Sequence, residues 1–265
     1  MIDLPRETLP PHSIGTLLVD RPLGSDERLR PHPSITSTVM PRELVGSLPF
    51  FRDMKGIDKY IIASIFTFDE AQKNATITVQ DQPGSDMFMV VEGCLMTSRR
   101  RKKLGHQVVS FLFPGDVFGV FEKGKYINTT HAVMNSTIAK ADRDRIWRFS
   151  ETRPRLRHSL YGTVVSDLAL AQDHLVVLGA MSALERVAAT LIRLDERQRS
   201  REGRSGRPLW LPMRRTDLAS YLGIELPTLS RVFGRLRDQG VIKFQSTSTL
   251  LITDRPRLLR LVECG

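Results

Sequence analysis

The stretch "LGIELPTLSRVFGRL", residues 222–236 of this 265-residue chain, can be built in few ways. Ahead of it, Leu218, Ala219 and Leu222 share one helical face, and Gly223 follows where a helix end needs positive φ. Pro227 comes four residues later. It is tolerable only in the first turn of a new helix, where its missing N–H costs little. Beyond it Leu229, Val232, Phe233 and Leu236 take an inward face, leaving Thr228, Ser230, Arg231, Arg235 and Arg237 outward. Two helices joined this tightly, the second basic, predict a helix-turn-helix whose second helix can enter a major groove. Thr216 is the expected N-cap of the first helix. "GVIKFQSTSTLLIT" reads as strand, polar turn and strand, a wing.

Charge supports that reading. Of the formal net charge of +10, residues 181–265 hold sixteen Lys and Arg against nine Asp and Glu. A basic C-terminal third points to an anionic polymer or surface, and with the helix-turn-helix and wing to double-stranded DNA. Two cysteines, Cys94 and Cys264, make no disulfide framework and suit a reducing cytoplasm. No apolar run is expected to reach a membrane span, and "MIDLPRETLPPHSIG" lacks the basic-then-apolar order of a signal peptide.

Four segments follow along the chain. Residues 1–40, with six prolines and no sustained periodicity, read as an irregular arm. Residues 41–150 open with the short helical pieces "RELVGSLPFFRDM" and "DKYIIASI". The β-type runs "ATITVQ", "MFMVVEGCLMTS", "QVVSFLF", "HAVMN" and "TIAKA" come next. Turn signals between them suggest a small antiparallel barrel or sandwich. "RRRKK", residues 99–103, reads as a solvated hairpin tip that adds to general attraction for DNA. In residues 151–180, Val164, Leu168, Ala171, Leu175 and Leu178 are spaced 4, 3, 4 and 3, a coiled-coil seam. It either lies on the chain's own barrel or, as expected for a helix this long between domains, pairs with a second copy. Residues 181–265 carry the winged helix-turn-helix. Its leading helix, 182–200, has the S-x-x-E spacing of a capping box at Ser182 and Glu185.

"DLASYLGIELPTLSRVFGRLRDQGVI" resembles the DNA-binding domain of the Crp–Fnr family of bacterial transcription regulators. "SALERVAATLIRL" is similar to the helix before that domain, and the coiled-coil segment to the family's dimerisation helix. "MFMVVEGCLM" and "FPGDVFG" resemble two segments of its cyclic-nucleotide-binding-type β-roll, and "PGDVFG" leans toward the FixK-like and Fnr-like branches. The resemblance covers residues 41–265. It implies an α+β chain: a double-stranded β-helix or jelly roll, a long dimerisation helix and a C-terminal winged helix-turn-helix. It also implies a homodimer on a two-fold symmetric operator that recruits or blocks RNA polymerase. Base contacts fall to Pro227, Ser230 and Arg231, phosphate contacts to Thr228 and Arg215, with Leu226 and Arg235 completing the set at DNA. Pro227 departs from the pattern, since many relatives have glutamate there.

The resemblance to a cyclic-nucleotide domain stops at its phosphate cassette. That cassette places a glutamate just after the Phe-Gly-type pair and an Arg-Ser or Arg-Thr step further on. Here Val120 follows Gly119, Glu122 is displaced by two, and "NTTHAV" stands at the arginine step. A cyclic phosphate needs that counter-charge, so no cyclic AMP is expected. Residues 1–93 contain no cysteine, which excludes a four-thiolate cluster in one chain. His106, His131, His158 and His174 have no metal-ligand spacing. Cys94 reads as core and Cys264 as exposed. No cofactor or catalytic residue is expected. Two other readings are a regulator switched by a small ligand, haem or a redox signal, and a metal-dependent cupin-type enzyme with a DNA-binding tail. The latter needs clustered His and Glu ligands that the strands do not supply.

Overall fold

A computed structural model describes residues 48–101, 105–120, 124–202 and 208–263. The N-terminal arm, Glu122, Lys123 and Cys264 lie outside the described residues. A 3-10 turn, Pro49–Phe51, and helix α1, Ile57–Ala63, precede the first sheet. Phe50, Phe51 and Phe66 meet edge-to-face at 5.2–6.3 Å and close the base of the roll.

Eight strands follow: β1 Thr67–Ala71, β2 Thr76–Thr78, β3 Asp86–Glu92, β4 Leu95–Arg101, β5 Gly105–Leu112, β6 Val117–Phe118, β7 Thr129–Ala132 and β8 Ser136–Asp142. They form two antiparallel four-stranded sheets, ordered β1-β8-β3-β6 and β2-β7-β4-β5. This is the expected roll, with one correction. "MFMVVEGCLMTS" is two strands, because the chain passes from one sheet to the other at Gly93. Gly93 takes φ 92°, and a Cβ there would lie 2.3 Å from Ser136 Oγ. β4 and β5 pair out to Arg101 and Gly105, so the basic run begins in a hairpin strand; residues 102–104 lie outside the described set.

Helix α2, Arg143–Glu151, is capped by Asp142, whose carboxylate accepts from Arg145 N at 2.7 Å. Helix α3, Pro154–Ala180, is the long helix. Leu156 and Leu160 are fully buried against the roll, and Val177 is buried near the other end. Between them, Leu168 is 57% and Leu175 68% exposed, and Ala171 is exposed. Val164 and Leu178 are half-buried, whereas Tyr161, Val165 and Val176 are exposed. The open apolar row thus runs through Tyr161, Val165, Leu168 and Leu175. It is shifted by one residue at its start from the predicted row, because Val164 is half-covered within its own chain. By length and composition alone α3 is apolar enough to cross a membrane, but Asp167, Gln172, Asp173 and His174 interrupt it, so it holds no unbroken apolar run of that length.

Met181 is extended, and α4, Ala183–Glu202, starts at once. The capping box closes: Ser182 N donates to Glu185 Oε2 at 2.7 Å, and Glu185 N to Ser182 Oγ at 3.5 Å. Strand β9, Leu209–Trp210, helices α5, Arg215–Leu222, and α6, Leu226–Asp238, strands β10, Ile242–Phe244, and β11, Thr249–Ile252, and helix α7, Arg255–Glu263, complete the chain. The wing sheet has the order β10-β11-β9. Gln198 of α4 reaches the outer side of β9, accepting from Trp210 N at 3.0 Å and donating to Trp210 O at 2.8 Å. Asp195, nearly fully buried, receives Arg199 and Arg255 at 2.9 and 2.8 Å, tying α4 to α7.

The core of the C-terminal domain does not end at that domain. It continues into Cys94, Val108, Phe111 and Phe113 of the roll. Each large side chain buried at this junction contributes about 2 kcal/mol.

Candidate nucleic-acid interface

The turn between α5 and α6 follows from local chemistry. Gly223 takes φ 63° and ψ 34°; its N–H donates to Ser220 O at 3.2 Å, and Ile224 N donates to Ala219 O at 3.1 Å. Leu218, Ala219, Tyr221 and Leu222 are buried. A Cβ on Gly223 would lie 3.3 Å from Leu178 Cδ2, so the turn rests against the end of α3. The first helix is not capped as expected. It starts at Arg215, Arg214 holds the cap position, and Thr216 lies in the first turn. Arg214 forms a forked pair with Asp217 at 2.9 and 3.1 Å.

Helix α6 begins at Leu226 with Pro227 in its first turn. Leu229, Phe233 and Leu236 are buried and Val232 half-buried. The opposite face presents Leu226, Pro227, Ser230, Arg231 and Arg235 to solvent, with Thr228 half-buried. Among the described residues neither Arg231 nor Arg235 has a partner. A planar guanidinium on such a helix suits guanine O6 and N7. The structure therefore brings six of the seven residues expected at DNA onto one helix, from Leu226 to Arg235.

Arg215 is different. It is half-buried, with Cζ 4.6 Å from the Phe233 ring centroid and 4.8 Å from that of Phe244. Those two rings meet at 5.3 Å and 84°. Nη2 donates to Thr247 O, 3.3 Å, in the wing turn. Burial lowers its pKa, yet a guanidinium keeps its charge at neutral pH.

The first helix is also fastened to the roll. Ser220 Oγ accepts from Val108 N at 3.1 Å, and Ser220 O accepts from Gln107 Nε2. Tyr221 meets Phe111 edge-on at 5.4 Å, and its hydroxyl accepts from Arg193. Arg197 pairs with Asp116 of the "PGDVFG" turn. Arg186 donates to Met181 O at 2.8 Å and Leu222 O at 3.2 Å, linking the ends of α3 and α5. Sequence reasoning missed this junction. Tyr221 was the one available signal, an aromatic ring on a helix whose inward face was already filled.

Within the roll, the described residues at the cassette positions are engaged inside the chain. Val120 is buried, and its carbonyl accepts from Trp147 Nε1 at 3.2 Å. Thr130, buried, takes the Thr78 hydroxyl at 2.8 Å, and Thr129 Oγ1 accepts from Gln80 N at 3.0 Å. Arg143 is buried, but donates to Gly119 O at 3.0 Å and Gly84 O at 2.8 Å, not toward an open anion site. Phe88 and Phe118 stack at 5.0 Å with Tyr126 beside them at 6.1 Å, in the core cluster that both sheets share. Cys94 is fully buried, and burial pushes its thiol well above the usual range. No group of three or more His, Cys, Asp or Glu able to hold a metal occurs among the described residues.

Residues 185–261 match the Crp-like helix-turn-helix domain and residues 68–153 the cyclic nucleotide-binding domain. The chain is 34% identical over 184 residues to the nitrogen fixation regulation protein FixK of Rhizobium meliloti, covering 69% of this chain and 81% of that one. It is 29% identical over 201 residues to FixK of Azorhizobium caulinodans, 76% and 81% covered. The structure of FixK2 from Bradyrhizobium japonicum superposes with a TM-score of 0.69 at 28% identity, covering 74% of this chain and 97% of that one.

Proposed function

Because the chain belongs to the Crp–Fnr family of DNA-binding transcription regulators, on its FixK-like side, we propose that it acts as a homodimer on a two-fold symmetric operator. Its relatives are transcription regulators, not enzymes. In this reading α3 pairs with its copy through Leu168, Ala171 and Leu175, with Val164 and Leu178 at the margins. The apolar length of α3 is then used between chains, in the cytoplasm, and not in a membrane. Arg231 reads guanine, Ser230 and Pro227 flank it, and Thr228, Leu226 and Arg235 complete the contact on each half-site. RNA polymerase is the partner on promoter DNA. The roll holds its partner domain in place without cyclic AMP.

The observation that carries this reading is the outer face of α6. Arg231 and Arg235 there have no partner among the described residues, while Leu229, Phe233 and Leu236 of the same helix face inward. Selecting bound duplexes from a random pool tests it. A two-fold symmetric sequence with a guanine in each half-site is expected. Recovery of no consensus would overturn the reading.

A further inference from the structure

The placement of Arg215 carries an inference that rests on the DNA-binding reading and deepens it. A guanidinium has five N–H donors, and one that only contacts phosphate needs no seat inside its own chain. The Arg215 guanidinium instead sits in a notch made by two rings from different elements, Phe233 of α6 and Phe244 of β10. Its Nη2 is turned to the carbonyl of Thr247, in the turn that joins the two wing strands. One side chain of α5 thereby touches the recognition helix, the wing strand and the wing turn. The neighbouring Arg214 shows the contrast: it is exposed, and spends its fork on Asp217 of its own helix.

Backbone bonds close the wing turn, Gln245 N and Ser246 N donating to Thr249 O, and Leu211 N ties Ser248 O to β9 at 2.7 Å, but none of them fixes its angle to α6. Gln245, Ser246 and Thr247 are exposed, and the hydroxyls of Ser246, Ser248 and Thr249 bond mainly one another. An exposed turn bearing hydroxyls suits a phosphate backbone, provided its angle to the recognition helix is fixed. We propose that Arg215 is a positioning residue: it fixes the wing against α6, so that base reading by Arg231 and backbone contact by the wing occur as one unit. Arginine is needed because a planar guanidinium stacks on rings and donates in its own plane at once, which an ammonium cannot do.

The test uses R215K, R215A, F244A and the double variant R215A/F244A in the full chain. Affinity is measured on the selected operator, both with flanking DNA and trimmed to the half-sites. Wild type gains from the flank. R215K and F244A should each lose that gain, about tenfold, with the double variant no weaker than either single one. The dependence of affinity on salt should stay that of wild type on the trimmed duplex. Hydrogen exchange without DNA gives a second readout, in which the amides of residues 245–249 should lose protection in R215K. The proposal is overturned if lysine restores wild-type behaviour. It is equally overturned if F244A is neutral while R215A flattens the salt dependence alike on both duplexes, the mark of a plain phosphate contact. Unchanged wing exchange in R215K overturns it too, whatever happens on DNA. Failure of every variant and of wild type to bind the selected sequence would instead sink the DNA reading.

Discussion

Tyr221 of the first helix of the helix-turn-helix lies flat on His174 of the long helix, ring centroids 4.1 Å apart and planes within 9°. His174 Nδ1 is buried with no hydrogen-bond partner. Arg193 and Arg186 lie close enough to oppose a second positive charge. Burial and these two arginines, against a weaker opposing contribution from the Tyr221 backbone, hold the imidazole pKa below its ordinary 6.5. The junction between long helix and DNA-binding domain is therefore built for a neutral histidine.

The first prediction follows from the sign of that shift. The unfolded chain takes up a proton near pH 6.5, before the folded one does, so the stability that rests on neutral His174 is present above that pH and lost as pH falls below it. Denaturant titration from pH 8 to 5 should show wild type losing more stability than His174→Phe, which keeps a flat ring on Tyr221. Parallel profiles for the two proteins would exclude this role for His174.

The second concerns the seam. Leu175→Glu places a carboxylate in the apolar row, at a cost of several kcal/mol to a paired helix. The side chain is 68% exposed in the single chain, so the fold itself should survive. Sedimentation should find a monomer, and operator binding should disappear with it. A Leu175→Glu protein that stays dimeric would contradict the pairing.

The third concerns cyclic AMP. Thr129 and Thr130 are already hydrogen-bonded inside the roll, and Phe88, Phe118 and Tyr126 pack together in its core. Millimolar cyclic AMP should change neither melting temperature nor operator affinity. A clear rise in either would mean that another cation has taken the place of the family's arginine.

The fourth separates two neighbours on α6. Arg231→Ala should cost about 1–3 kcal/mol on the operator and relax the preference at one base pair per half-site. Pro227 has no side-chain donor or acceptor, so the next position should prefer cytosine weakly or take thymine. Pro227→Glu should bring a cytosine preference there, through an acceptor for cytosine N4, without unfolding a helix whose first turn tolerates a carboxylate. Operator substitutions scored base by base decide it. Equal scores for both proteins at that position would move the register of the recognition helix.

What was legible in the chain is what local chemistry decides. Gly223 and Pro227 mark their turn through φ and a missing N–H, and the Ser182–Glu185 box acts over three residues. Strand β1, "TFDEA", carries no clear alternation, and becomes a strand because β8 pairs with it from Thr67 to Ala71. Strand β6 hides in what reads as a turn, and exists through Phe88 and Met89 of β3. Arg215 reads as a surface cation because Phe233 and Phe244 lie 18 and 29 residues away.

Trp210 shows what a single amide can do for a small sheet. β9 is an edge, and an edge strand offers its outward N–H and C=O to any extended chain that meets it. Gln198 offers the same pair of groups in reverse, so Trp210 is answered on its open side as if by a fourth strand. The sheet stops growing there. On the proposed pairing of two copies through α3, this side chain closes the strand edge to a second, unwanted pairing.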